Sequence, residues 1–174
     1  MTEIEMLTKQ TVETYDWVYK LIDPIPSEKW DEVPQGIESN VSWQVGHLVI
    51  SVYYHSVMVI VGHQGDVLEQ VPMRDYTKLF SFNTIPKNAV GKTSPEELKK
   101  YLKIVEDKSV EVITSLAPEN LIAALEPTKM SHPVATTKFE ALSWNIKHTM
   151  WHCGQIAMLK RIIGKPHSFG LSRT

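Results

Sequence analysis

The chain has 174 residues, enough for one domain with a single substantial core. Its 43% hydrophobic and 22% charged residues, net charge of −2 and pI near 6.4 supply no basic stripe for nucleic acid. A lone cysteine, Cys153, rules out an intrachain disulfide. The acidic start Met-Thr-Glu-Ile-Glu lacks the basic and apolar regions of a signal peptide, and no apolar run approaches the ~20 residues of a bilayer span, so a cytoplasmic protein is expected.

In chain order, the first predicted helix runs from about Glu3 to Ile22, with Ile4, Leu7, Thr11, Tyr15, Val18 and Ile22 on one stripe. Thr2 and Glu5 have capping-box spacing, and Pro24 closes the segment. The second runs from about Trp43 to Gly62, with Ser42 as its candidate cap. Ser94-Pro-Glu-Glu97 opens the third, which continues until Pro118. Thr137-Lys-Phe-Glu140 opens the fourth, which continues to about Ile163; Gly164 is placed to take a left-handed cap and Pro166 forbids continuation. Residues 23–40, 64–93 and 118–136 are proline-bearing connectors expected to hold at most short turns, with the tail after Gly164 packing back on the helices. None is low-complexity, so residues 1–174 read as a single all-α domain, a four-helix bundle about 30 Å long with long connectors.

The fourth helix carries a conflict. His148 and His152 are four residues apart and so share one helical face, with Asn145 and Gln155 on the same stripe. Ala141 and Leu159 bracket that stripe and mark it as facing the core, where polar side chains cost stability unless they are paired or bind something. A His-x-x-x-His pair alone is commonly no more than an exposed or hydrogen-bonded pair. His47 strengthens the metal reading, because Ser42-Trp43-x-x-x-His47 repeats in Ser143-Trp144-x-x-x-His148 early in another helix. Three imidazoles would leave coordination positions open and do not select strongly among zinc, nickel, iron and manganese.

The other histidines read as structural. His55 lies eight residues beyond His47, about 80° round an α-helix. His63 sits at a helix end, and His132 and His167 fall in connector and tail. Gln155 and Asn145 are candidates to orient a ligand histidine, or else simple interhelix hydrogen bonds, and Tyr54 shares the His47 face. Trp43, Trp144 and Trp151 read as core anchors and Cys153 as a buried, inert thiol. Glu-x-x-His pairs, His-Glu-x-x-His and Gly-x-Ser-x-Gly are all absent, which removes di-iron, zincin and serine-hydrolase readings.

Ser42-Trp43-x-x-Gly46-His47, His148-x-x-x-His152-x-Gly154-Gln155 and Gly164-Lys-Pro166, in this order, resemble the DinB-like superfamily of four-helix bundles, YfiT-type proteins included. The resemblance spans nearly the whole chain. It implies one divalent metal ion on His47, His148 and His152. It also implies metal-dependent transfer of a low-molecular-weight thiol to a small electrophilic substrate. Metal-dependent hydrolysis and a non-enzymatic metal-binding bundle acting through partners are the alternatives. A homodimer is expected from the same resemblance and from the number of large apolar residues.

Overall fold

The computed structural model describes residues 1–170. Helix α1 spans Glu3–Ile22, where the Thr2 hydroxyl accepts from the Glu5 amide and the Glu5 carboxylate accepts from the Thr2 amide. Helix α2 spans Val41–Val61 and starts two residues earlier than expected. Its cap is Asn40, whose side chain accepts from the Trp43 amide at 2.7 Å, while Ser42 is buried inside the first turn. Helix α5 spans Pro95–Ser115 behind the Ser94 cap, and α6 spans Lys138–Ile163 behind a Thr137–Glu140 capping box.

Connector 64–93 corrects the expectation of short turns. It forms α3, Gly65–Leu68, and a two-turn helix α4, Met73–Phe80, which buries Tyr76 and Phe80. Gly164 has φ −163°, extended backbone rather than the expected left-handed cap. The chain beyond it does return to the bundle. Lys160 Nζ donates to the Lys165 carbonyl at 2.8 Å, and the His167 and Phe169 rings lie 5.5 and 5.9 Å from Trp17.

Helices α1 and α2 each pack against both α5 and α6, so they occupy opposite corners of the bundle. Helix α4 lies on α2 at Gly46, where an added Cβ would stand 2.5 Å from the Phe80 ring. Only a glycine admits that approach. Val41–Val61 is long and apolar enough to cross a membrane by length and composition, which corrects the sequence expectation, yet 78% of its most apolar window is buried inside the protein. Its apolarity serves the core. Trp151, expected as a core anchor, is instead 64% exposed on α6, whereas Trp43 is buried.

Candidate metal centre

The centre forms where α2 faces α6. Helical spacing places His148 and His152 one turn apart, and the α2–α6 packing brings His47 to them. The three rings offer one ligand nitrogen each, and these nitrogens lie within 4.8 Å of one another. Ring centroids are 4.5 Å apart for His148–His152, 4.8 Å for His47–His152 and 5.4 Å for His47–His148. No acidic side chain belongs to the cluster among the described residues.

Hydrogen bonds decide which nitrogens can bind a cation. The Phe80 carbonyl can only accept, so His47 Nδ1 carries its proton and donates to it at 2.7 Å. Gln44 Oε1 likewise accepts from His152 Nδ1 at 2.5 Å. Both rings therefore keep a lone pair on Nε2. His148 Nε2 stands 3.3 Å from His152 Nε2, and His148 Nδ1 is buried without a partner. Burial holds all three below the ordinary histidine range: His47 is lowered, His148 is pushed down to about 4, and His152, with His47 beside it, to about 2. They are neutral at pH 7, the form that ligates. The donor set therefore fits a divalent ion.

Among the remaining predicted residues, Gln155 takes part at one remove. Its Oε1 accepts from Gln44 Nε2 at 3.0 Å, and the same nitrogen donates to Ser39 Oγ at 2.8 Å. Asn145 points elsewhere. Its Nδ2 donates to the Tyr15 hydroxyl, which donates to Ser109 Oγ, a buried bridge between α1, α5 and α6. Tyr54 stacks on His132 at 5.6 Å and 3° and donates to the Met130 carbonyl, so it braces a connector and not the cluster. Cys153 is buried, and burial pushes its thiol up to about 12.

Sequence reasoning missed four contributors. Gln44 lies three residues before His47, one helical turn away, and no motif in the sequence singles it out. Phe80 acts through its backbone carbonyl, which leaves no trace in side-chain identity. His55 is buried with its ring 5.2 Å from that of His148, although an ideal α-helix would turn it away from His47. A π-turn at Tyr54–Met58 narrows that offset in part, because wider turns rotate each residue by less than an α-turn. His132, expected to be a bystander in its connector, stands 2.7 Å from His55. Trp43 stacks on His47 at 5.0 Å and 12°, and its Nε1 donates to Thr84 Oγ1 at 2.9 Å.

An antiparallel helical bundle with a three-histidine cluster between opposed helices defines the class of protein. The chain belongs to the DinB superfamily, whose sequence profile matches residues 10–156. Its fold is similar to that of a protein solved as "Crystal structure of the conserved protein of locus from Enterococcus faecalis". The TM-score is 0.71 at 14% identity, with 94% of this chain and 98% of that chain covered. None of the curated proteins matches the sequence.

Proposed function

We propose that His47, His148 and His152 hold one divalent metal ion, and that the protein uses it to transfer a small thiol to an electrophilic substrate. The observation that carries the metal reading is the pair of fixed tautomers. Phe80 O and Gln44 Oε1 hold protons on Nδ1 and leave Nε2 lone pairs for a shared cation. Trp43, stacked flat on His47, restricts rotation of that ring, so the donors are set before the ion arrives.

A divalent ion held by three imidazoles supplies a Lewis acid with open positions and favours the thiolate form of a bound thiol. No acidic side chain belongs to the cluster among the described residues, so no carboxylate general base for water stands there, and a thiolate attacks without one. This chemistry and membership of the DinB superfamily support thiol transfer over hydrolysis. The reading takes a small molecule as substrate, a second copy of the chain as partner, and the cytoplasm as the place of action, with neither nucleic acid nor membrane involved.

Two measurements test it. Purified protein should carry about one divalent ion, by elemental analysis, that a His148→Ala/His152→Ala variant has lost; equal metal in both would end the proposal. Metal-loaded protein assayed against a panel of thiols and electrophiles should conjugate them, and the His152→Ala variant should not. Turnover of esters or amides without conjugation would select hydrolysis instead. Silence across the panel, with protein partners recovered, would select the non-enzymatic bundle.

A further inference from the structure

Two more histidines stand against the cluster in an order that fixes their protons. The amides of Val134 and Ala135 both aim at His132 Nδ1, at 3.3 and 2.9 Å. A nitrogen that accepts from backbone N–H groups carries no proton, so the neutral ring holds its proton on Nε2. That Nε2–H faces His55 Nδ1 at 2.7 Å and donates to it. His55 Nδ1 is then an acceptor, and the proton of His55 sits on Nε2.

We propose that His55 is a ligand-binding residue of the metal centre, presenting its Nε2–H to an anionic group held there, and that His132 is the residue that keeps it in this form. The proposal rests on the metal reading above, and the thiolate of that reading is the ligand class it fits. The His55 ring lies 5.2 Å from His148 at an interplanar angle of 64°, which sets the ring beside the cluster. Three features hold the pair in place. His55 lies within the π-turn of α2, and Tyr54 stacks on His132. The connector carrying His132 is anchored by the Glu126 amide donating to the Val59 carbonyl at 2.9 Å and by the Ala124–Thr137 bridge.

The same tautomers argue against a second metal between His55 and His132. Coordination through His132 Nε2 would move the proton of that neutral ring to Nδ1, against two backbone N–H groups. The pair is built to donate.

Long-range proton–nitrogen NMR on metal-free, nitrogen-15-labelled protein reads the tautomers directly. His55 and His132 are both expected as Nε2–H, and His132→Ala should release His55 into a mixture. A wild-type His55 protonated on Nδ1 would overturn the proposal. In cobalt-loaded protein, azide serves as the anionic probe and visible absorption reads its dissociation constant. His55→Leu should weaken azide about tenfold or more at unchanged cobalt content, whereas His55→Gln, which keeps an N–H donor, should retain most of the affinity. Equal azide affinity in wild type and His55→Leu would show the N–H spent on the His148 ring alone and overturn the proposal. Cobalt uptake is read before azide is added. A wild-type protein that takes up none overturns the metal reading and the ligand role of His55 with it, while the NMR result still decides the tautomers.

Discussion

Gln44 and His152 are joined by a 2.5 Å hydrogen bond between facing helices, Nδ1–H of the histidine to Oε1 of the amide. The glutamine is itself oriented, because its Nε2 donates to both Ser39 Oγ and Gln155 Oε1. In this arrangement the amide turns its oxygen, not its nitrogen, to the histidine. Gln44→Leu keeps the bulk and removes the acceptor, so His152 loses the partner that fixes its ligating tautomer. Metal affinity is expected to fall roughly 10- to 100-fold, measured by competition with a chelator of known strength. Gln155→Leu, one bond further away, should have a smaller effect in the same direction.

Gly46 and Phe80 couple packing to the centre. A Cβ at Gly46 would lie 2.5 Å from the Phe80 ring, and the carbonyl of Phe80 is what His47 Nδ1 donates to. Gly46→Ala is therefore expected to push α4 off α2, costing about 1–3 kcal/mol in urea unfolding. It should also weaken metal binding. Gly46→Ala with Phe80→Leu relieves the clash and should recover part of the stability. Wild-type stability in the single variant would contradict this geometry.

Glu106 on α5 is 3% exposed, and its Oε1 has no hydrogen-bond partner. Burial raises its carboxyl to about 8 from an ordinary 4.5. The folded state thus keeps a proton that the unfolded chain has released, and this contribution weakens stability as pH rises from about 4.5 to 8. Glu106→Gln keeps the shape without the titration. Relative to wild type it should gain on the order of 2–4 kcal/mol at pH 8 and little at pH 4.5, compared by urea unfolding at the two pH values.

The outer face of α6 exposes Trp151, Met158 and Ile162 at helical spacing. Exposed apolar side chains of this kind suit an association surface, and we propose a second copy of the chain as the partner. Sedimentation at micromolar concentration should show a species of twice 19.8 kDa, and Trp151→Lys should return it to the monomer mass. A wild-type protein that sediments only as the monomer would rule the dimer out.

Much of this protein was legible without coordinates, and the parts that were share a physical character. Capping boxes at Thr2 and Thr137 and the Ser94-Pro95 start are local chemistry, satisfied within one helical turn, and each marks the helix start it signals. His148 and His152 needed only the helical repeat to be placed side by side. His47 needed one further step, the matched Ser-Trp-x-x-x-His spacing and the family resemblance. The structure brings it to the other two.

What lay beyond the sequence depends on contacts between elements distant in the chain. Asn145 shares the histidine stripe, yet α1 and α5 claim it through Tyr15 and Ser109. His55 was set aside on its angle from His47 alone, yet its ring stands 5.2 Å from that of His148, on a helix that loosens into a π-turn at Tyr54–Met58, which no local propensity announces. His132 reaches His55 across 77 residues of chain. The Phe80 carbonyl could serve His47 only once α4 had settled on Gly46. The sequence by itself determined the four long helices and pointed to the three histidines, because periodicity and capping act over a few residues. Tertiary structure alone decided which groups hold the histidine protons, because a hydrogen-bond partner is chosen by proximity in space and backbone carbonyls and amides look alike at every position of a sequence.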